Sequence, residues 1–257
     1  PVELAFSLQG NQPRIALATR LKTRLTIDLD KQQYAFEGLD LESKGEAAGI
    51  GNLVLKASGD ASARPQTGEF SAQKLSLGVT GLLGKDNLEV RLEAPRLQLA
   101  KERFATDKIT GSVKLSSAQG GTTANLILPG LECTAQAFKS GALSLDVESK
   151  QGEQTLRAKL SSPVAGNFEA RQLNLPQLVL SVAASGPHLP NKTISGEFKG
   201  SGAVDGARQS AQAALAGKLA ESNIKARVSV AGFGKPALTL DADIDRLDLD
   251  AFLPPKK

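Results

Sequence analysis

The chain has no tryptophan and no methionine, and only one cysteine, one histidine and one tyrosine. Each scarcity removes a class of protein. A single thiol, Cys133, cannot build an internal disulfide framework or a zinc cluster of several thiolates. A single histidine, His188, cannot supply a multi-histidine metal site, and no G-x-S-x-G elbow, phosphate loop or H-E-x-x-H pattern accompanies it. Aromatic residues make up 4% of the 257 positions, too few for the stacking platforms that read single-stranded nucleic acid. The net charge of +4 is spread among interspersed acids and bases, as in residues 85–96 (KDNLEVRLEAPR), so no basic patch marks a nucleic-acid partner. No run approaches the ~18 apolar residues of a membrane-spanning helix. No basic segment followed by an apolar one marks a signal peptide. The chain begins inside a strand-like pattern, residues 2–9 (VELAFSLQ), without a Met. It is therefore expected to be part of a longer protein, with any anchor or export signal upstream.

What is abundant is alternation. Polar and apolar residues take turns in residues 23–30 (TRLTIDLD), 141–149 (GALSLDVES) and 238–245 (LTLDADID). Period two is the pattern of a strand with one wet and one apolar face. Hydrophobic content of 40% with 23% charged residues is that of a folded chain, which excludes intrinsic disorder. Strands are predicted over 2–9, 14–22, 23–30, 33–43, 52–59, 69–79, 87–100, 109–117, 122–138, 141–149, 154–162, 168–185, 192–200, 223–232 and 236–253. Gly, Asn, Asp and Pro mark many of the joins, and the connections are short, which favours antiparallel hairpins over βαβ crossovers. Residues 207–223 also carry a four-residue apolar spacing, but Gly217 weakens a helix and context favours a strand. No long low-complexity linker splits the chain, so residues 1–257 read as one continuous β-repeat region.

Several strands change phase midway. Leu88, Val90 and Leu92 share one parity, while Leu97 and Leu99, after Pro95, have the other. Phe70 and Ala72 give way to Leu75, Leu77 and Val79 in the same manner. A one-residue slip reverses the buried face, so a bulge must absorb it. The pattern F-x-A-x-x-L-x-L occurs at Phe70–Leu77 and at Phe168–Leu175, and both copies predict a strand–bulge–strand unit.

Few residues carry chemistry. His188 sits in a proline-flanked loop and reads as exposed and inert. Cys133, in phase with Leu131 and Ala135, reads as a buried strand cysteine. Asp241, Asp243, Asp245, Asp248 and Asp250 form the densest acidic run. Alternation puts the first three on one strand face, where a solvated row paired with Lys/Arg across the sheet competes with a cation or glycan site. No catalytic, cofactor or metal residue is assigned. An apolar sheet face must be covered. It either folds onto itself as a closed core or leaves an aliphatic furrow for lipid tails, and alternation alone does not separate the two. The furrow reading would be lined by residues such as Leu25, Ile27, Leu29, Leu143, Leu145 and Val147.

The C-terminal part sharpens the choice. Residues 215–255, closing with 240–255 (LDADIDRLDLDAFLPP), resemble the AsmA family of bacterial envelope proteins in their alternating Asp and Leu and final aromatic-Leu-Pro. Phe252 stands where the family often has Tyr. The L-x-G-K-L at Leu215–Leu219 and S-x-I at Ser222–Ile224 are also similar, whereas residues 1–214 share only the style of repeated strands. The resemblance implies an all-β fold, a long, highly curved antiparallel sheet of many strands that forms an elongated groove or taco-like half-barrel with an apolar interior. It implies the periplasmic region of an inner-membrane-anchored protein of the Gram-negative envelope, with a non-enzymatic role in outer-membrane biogenesis. Phospholipids or other acyl-chain lipids, and envelope assembly proteins, are the partners it implies. The competing expectation is an interaction module with a closed apolar core that works through protein partners at its strand edges.

Overall fold

The computed structural model describes residues 1–11, 14–187, 189 and 192–245. It is all-β, and its fifteen strands follow the order of the chain. They are β1 (Val2–Asn11), β2 (Arg14–Asp28), β3 (Gln33–Ala47), β4 (Ile50–Arg64), β5 (Glu69–Leu83), β6 (Asp86–Ala100), β7 (Arg103–Ser117) and β8 (Gly120–Cys133). These are followed by β9 (Ala137–Gln151), β10 (Gln154–Asn167), β11 (Gln172–Ser185), β12 (Thr193–Asp205), β13 (Ser210–Leu219), β14 (Ser222–Ala231) and β15 (Ala237–Ile244). The only described helical element is a 3-10 turn at Pro65–Thr67, so no described helix is long and apolar enough to cross a membrane.

The chain divides into two compact units, Pro1–Ala135 and Gln136–Lys257. The first holds β1 to β8 and the second β9 to β15. Within each, every strand pairs antiparallel with its chain neighbour, and among the described residues no ladder closes the sheet into a barrel. Packing follows the same neighbour-to-neighbour rule, so neither unit adds a second layer to its own sheet.

The register aligns the apolar residues into rows that cross the strands. In the first unit one row runs Leu4, Leu21, Leu41, Ala57, Leu77, Leu92, Gly111, Leu126. In the second, one runs Leu145, Leu160, Leu180, Phe198, Gly217, Ile224, Ile244. Each opposed pair is worth roughly 0.2–1 kcal/mol, and a row accumulates them. The other face carries charge, with cross-strand pairs such as Lys22–Glu3, Lys56–Glu42 and Arg157–Glu148. Lys44 and Lys56 hold the Glu42 carboxyl below the ordinary glutamate range, and Lys150 and Arg157 do the same for Glu148.

The predicted phase changes are bulges. Lys74 adopts a left-handed conformation (φ 54°) inside β5. The β5–β6 ladder pairs Gln73 with Arg96 and Leu75 with Ala94, leaving Lys74 opposite Pro95, which has no N–H to offer. The irregularity continues through neighbouring strands at Gly59 (φ 154°) in β4 and Gly38 (φ 61°) in β3. Asp60 pins it: one carboxylate oxygen accepts from the Gly38 N–H at 2.8 Å and the other from Lys74 Nζ at 3.1 Å. Small side chains along this line are buried, Ala72 to 2% exposure and Ala94 to 7%. In a single layer, an alanine is buried so deeply only when larger neighbours on both sides lean over it. The apolar face therefore folds inward along the bulge line.

Several predicted boundaries are corrected. Residues 14–22 and 23–30 are one fifteen-residue strand, because the apolar parity runs unbroken from Ile15 to Ile27. The predicted strand 122–138 ends at Cys133, and β9 begins afresh at Ala137. Phe168 lies in a turn rather than a bulged strand. Asn167 Oδ1 accepts from the Ala170 N–H at 2.7 Å, and Arg171 takes a left-handed φ of 51°. The bulge of β11 lies instead between Leu175 and Leu178. The ambiguous segment 207–223 forms β13 and the start of β14. Gly217 is required there, since a Cβ at that position would run into the Glu197 carbonyl.

Candidate apolar binding face

Leu25 and Ile27 stand on the apolar face of β2, opposite Phe36 and Tyr34 of β3. They are 38% and 50% exposed. Leu29 lies beyond the end of β2, in the turn, and is 78% exposed. In the second unit Leu143, Leu145 and Val147 of β9 face Ser162, Leu160 and Ala158 of β10, each half-buried. The structure thus sets each trio, Leu29 apart, along one strand of its own unit, each residue in a different row.

The rows also bring in residues that were not among the expected furrow lining. Ile27, Tyr34, Ala63, Phe70, Leu99, Phe104 and Cys133 form one row across β2 to β8. Cys133 is half-buried rather than buried, and partial desolvation raises its thiol pKa. Phe138 packs on Phe168 with ring centroids 5.0 Å apart. Gly166 leaves room for the Phe138 ring, which a Cβ there would strike. Only the pairing register brings such residues together, and a single sequence carries no signal for it. Polar atoms on the apolar face satisfy each other: Thr19 Oγ1 and Ser43 Oγ, both buried, are 2.8 Å apart.

Neither face is sealed. Among the described residues the buried hydrophobic side chains are Leu53, Ala72, Ala94, Val164 and Leu178, while Leu4, Phe6, Leu8, Leu92, Leu156, Leu238 and Leu240 are exposed. The chain exposes 17499 Å², against ~11,000 Å² for one compact monomer of its mass and ~13,000 Å² for two of half that mass. A sandwich-like closed core would bury these rows, and the described residues do not do so. A hollow of about 690 Å³ is on the polar face, between Asn174, Ser201, Gln212, Arg227, Ser229 and Asp241. Short Ser, Ala and Gly side chains between longer ones make it.

The acidic run resolves as a strand face. Asp241 and Asp243 are register partners of Arg227 and Lys225, and Asp245 Oδ1 accepts from the Asn223 N–H at 2.8 Å. Among the described residues no three His, Cys, Asp or Glu side chains cluster as a metal site. His188, Asp248, Asp250 and Phe252 lie outside the described residues. Comparison with protein-family models, with characterised proteins and with solved structures found no match to this chain.

Proposed function

We propose that the protein is a non-enzymatic lipid-handling factor that holds or conducts phospholipid acyl chains along the apolar face of its β-sheet. The observation that carries this reading is the set of apolar rows, mostly Leu and Ala with Phe and Gly at intervals, that no second layer covers among the described residues. A row of seven strands spans roughly 29 Å at the spacing of neighbouring strands. One acyl chain fills about half of a hydrocarbon core of ~30 Å, so a chain laid across the strands fits within a row. Transfer favours it by ~25 cal/mol per Å² of apolar surface buried. Leu- and Ala-rich rows suit flexible aliphatic tails better than planar ligands. Together with the resemblance to the AsmA family, this supports a place in the periplasm, in outer-membrane biogenesis, downstream of an inner-membrane anchor. Titration with a fluorescent fatty-acid or phospholipid probe tests it. Saturable uptake that competes with unlabelled phospholipid is expected, and folded protein that leaves the probe in water contradicts the reading.

A further inference from the structure

The turns β10–β11, β12–β13 and β14–β15 emerge at one end of the second unit. They are stitched together by main-chain hydrogen bonds: the Gly206 N–H donates to the Arg171 carbonyl at 2.8 Å, and the Gly232 N–H to the Gln209 carbonyl at 2.8 Å. Alternate connections of a meander stand two strand spacings apart, so the three turns make a rim ~20 Å long. Phe168 and Phe233 stand on its outer two turns, 50% and 49% exposed. Phe233 is flanked by Gly232 and Gly234 and followed by Lys235, so nothing in its own turn covers the ring. The cations of the rim are Arg171, Arg208 and Lys235, all exposed. Arg208 is loosely paired with Asp205 at 3.9 Å, while Arg171 and Lys235 have no carboxylate within ion-pair reach among the described residues. The acids that face them are Glu169 in the first turn and Asp205 at the end of β12. Asp205 is engaged by the Arg208 N–H at 2.9 Å, which lowers its pKa. At the opposite ends of these strands, the described turns at residues 152–153 and 220–221 carry Glu153 and Glu221 and no aromatic, and the described part of the β11–β12 connection carries the exposed Lys192.

We infer that this rim is a docking surface for an anionic lipid bilayer, with Phe233 entering the headgroup boundary and Arg171 and Lys235 meeting lipid phosphates. Amphipathic surfaces bind bilayers through apolar burial together with attraction to anionic lipid. Exposed aromatics at two turn tips, with cations between and beside them, meet both requirements on this rim. The inference does not rest on the apolar face holding lipid tails, because the rim touches a membrane surface rather than an extracted lipid.

Co-sedimentation of the 257-residue chain with vesicles tests it. Vesicles of phosphatidylcholine alone are compared with vesicles that also contain phosphatidylglycerol, at low salt. The wild type is expected to bind the anionic vesicles at least about tenfold more tightly than the neutral ones. Phe233→Ser, and Arg171→Glu with Lys235→Glu, are expected to lose most of that binding while keeping the β-sheet circular dichroism. Glu221→Ala, at the other end, should bind as the wild type does. Phe168 is left intact because it packs on Phe138. Wild type that ignores anionic vesicles, binds both compositions equally, or binds undiminished after these substitutions overturns the inference. Uptake of an acyl probe without vesicle binding would overturn the rim alone and leave the proposed function standing.

Discussion

The two units bend their strands by different means. In the first, residues with positive φ sit inside the strands: Gly38 in β3, Asn52 and Gly59 in β4, Lys74 in β5 and Gly130 in β8. A polar clamp at Asp60 ties two of them together. In the second, the positive-φ residues among those described all lie in or beside the turns. Its register shifts occur instead around Pro163 of β10 and between Leu175 and Leu178 of β11, the stretch that holds Pro176. Buried Ser162, whose hydroxyl donates to the Pro163 carbonyl at 2.8 Å, closes the bend in β10. The same phase reversal is thus made by left-handed backbone and a charged clamp, with Pro95 opposite, in the first unit, and at prolines without left-handed backbone inside the strands in the second.

Substitutions should separate the two devices. The largest effect is expected from Gly59→Val. A Cβ there would stand 2.7 Å from Leu75 Cδ2 and 3.0 Å from the Gln73 carbonyl oxygen, at a φ of 154°. A loss of about 3 kcal/mol, read from urea unfolding, follows from clash and backbone strain together. Native-state hydrogen exchange should place that loss in β3 to β6.

Asp60→Ala should come next, because it leaves the Gly38 N–H and the Lys74 ammonium without their acceptor. Asp60→Asn keeps an oxygen for Gly38 but loses the charge, so its melting temperature should fall between those of wild type and Asp60→Ala. Acid gives a third contrast. The Gly38 N–H first, and then Lys74, hold the Asp60 carboxyl below the ordinary aspartate range. A depressed carboxyl contributes stability above its unfolded pKa and loses it as pH falls through the folded value. The difference in denaturation midpoint between wild type and Asp60→Asn should therefore hold near neutral pH and shrink below about pH 4. A difference unchanged by acid would contradict the clamp. The smallest effect belongs to the second unit. Pro163→Ala and Pro176→Ala should each change stability by no more than about 1 kcal/mol, with no added acid sensitivity, in the same titration.

The bulge at Lys74 was legible because Phe70, Ala72, Leu75 and Leu77 break parity in view. The same pattern at Phe168 misled, because the Asn167 side chain closes a turn before β11 begins. The single strand β2 was legible in the unbroken odd parity from Ile15 to Ile27, although the polar pair Lys22–Thr23 reads locally as a join. Strand type and facing follow from local periodicity, and both are written in one segment at a time. Pairing register is a relation between segments, so the row joining Leu145 to Leu160 and Leu180 had no local sign, and neither did the packing of Phe138 on Phe168 beyond the ladder. Leu29 shows the limit from the other side: its alternation continues past the residue where the ladder stops.

The central claim is that the apolar rows are open and hold acyl chains. Mass spectrometry of lipids that co-purify with the gently isolated protein tests it most directly, with Ile27→Asp and Val147→Asp compared after a check of folding. About one or more phospholipids per protein, lost from the folded variants, is the predicted result. Folded wild type that carries no lipid and takes up none when phospholipid is added would contradict the account.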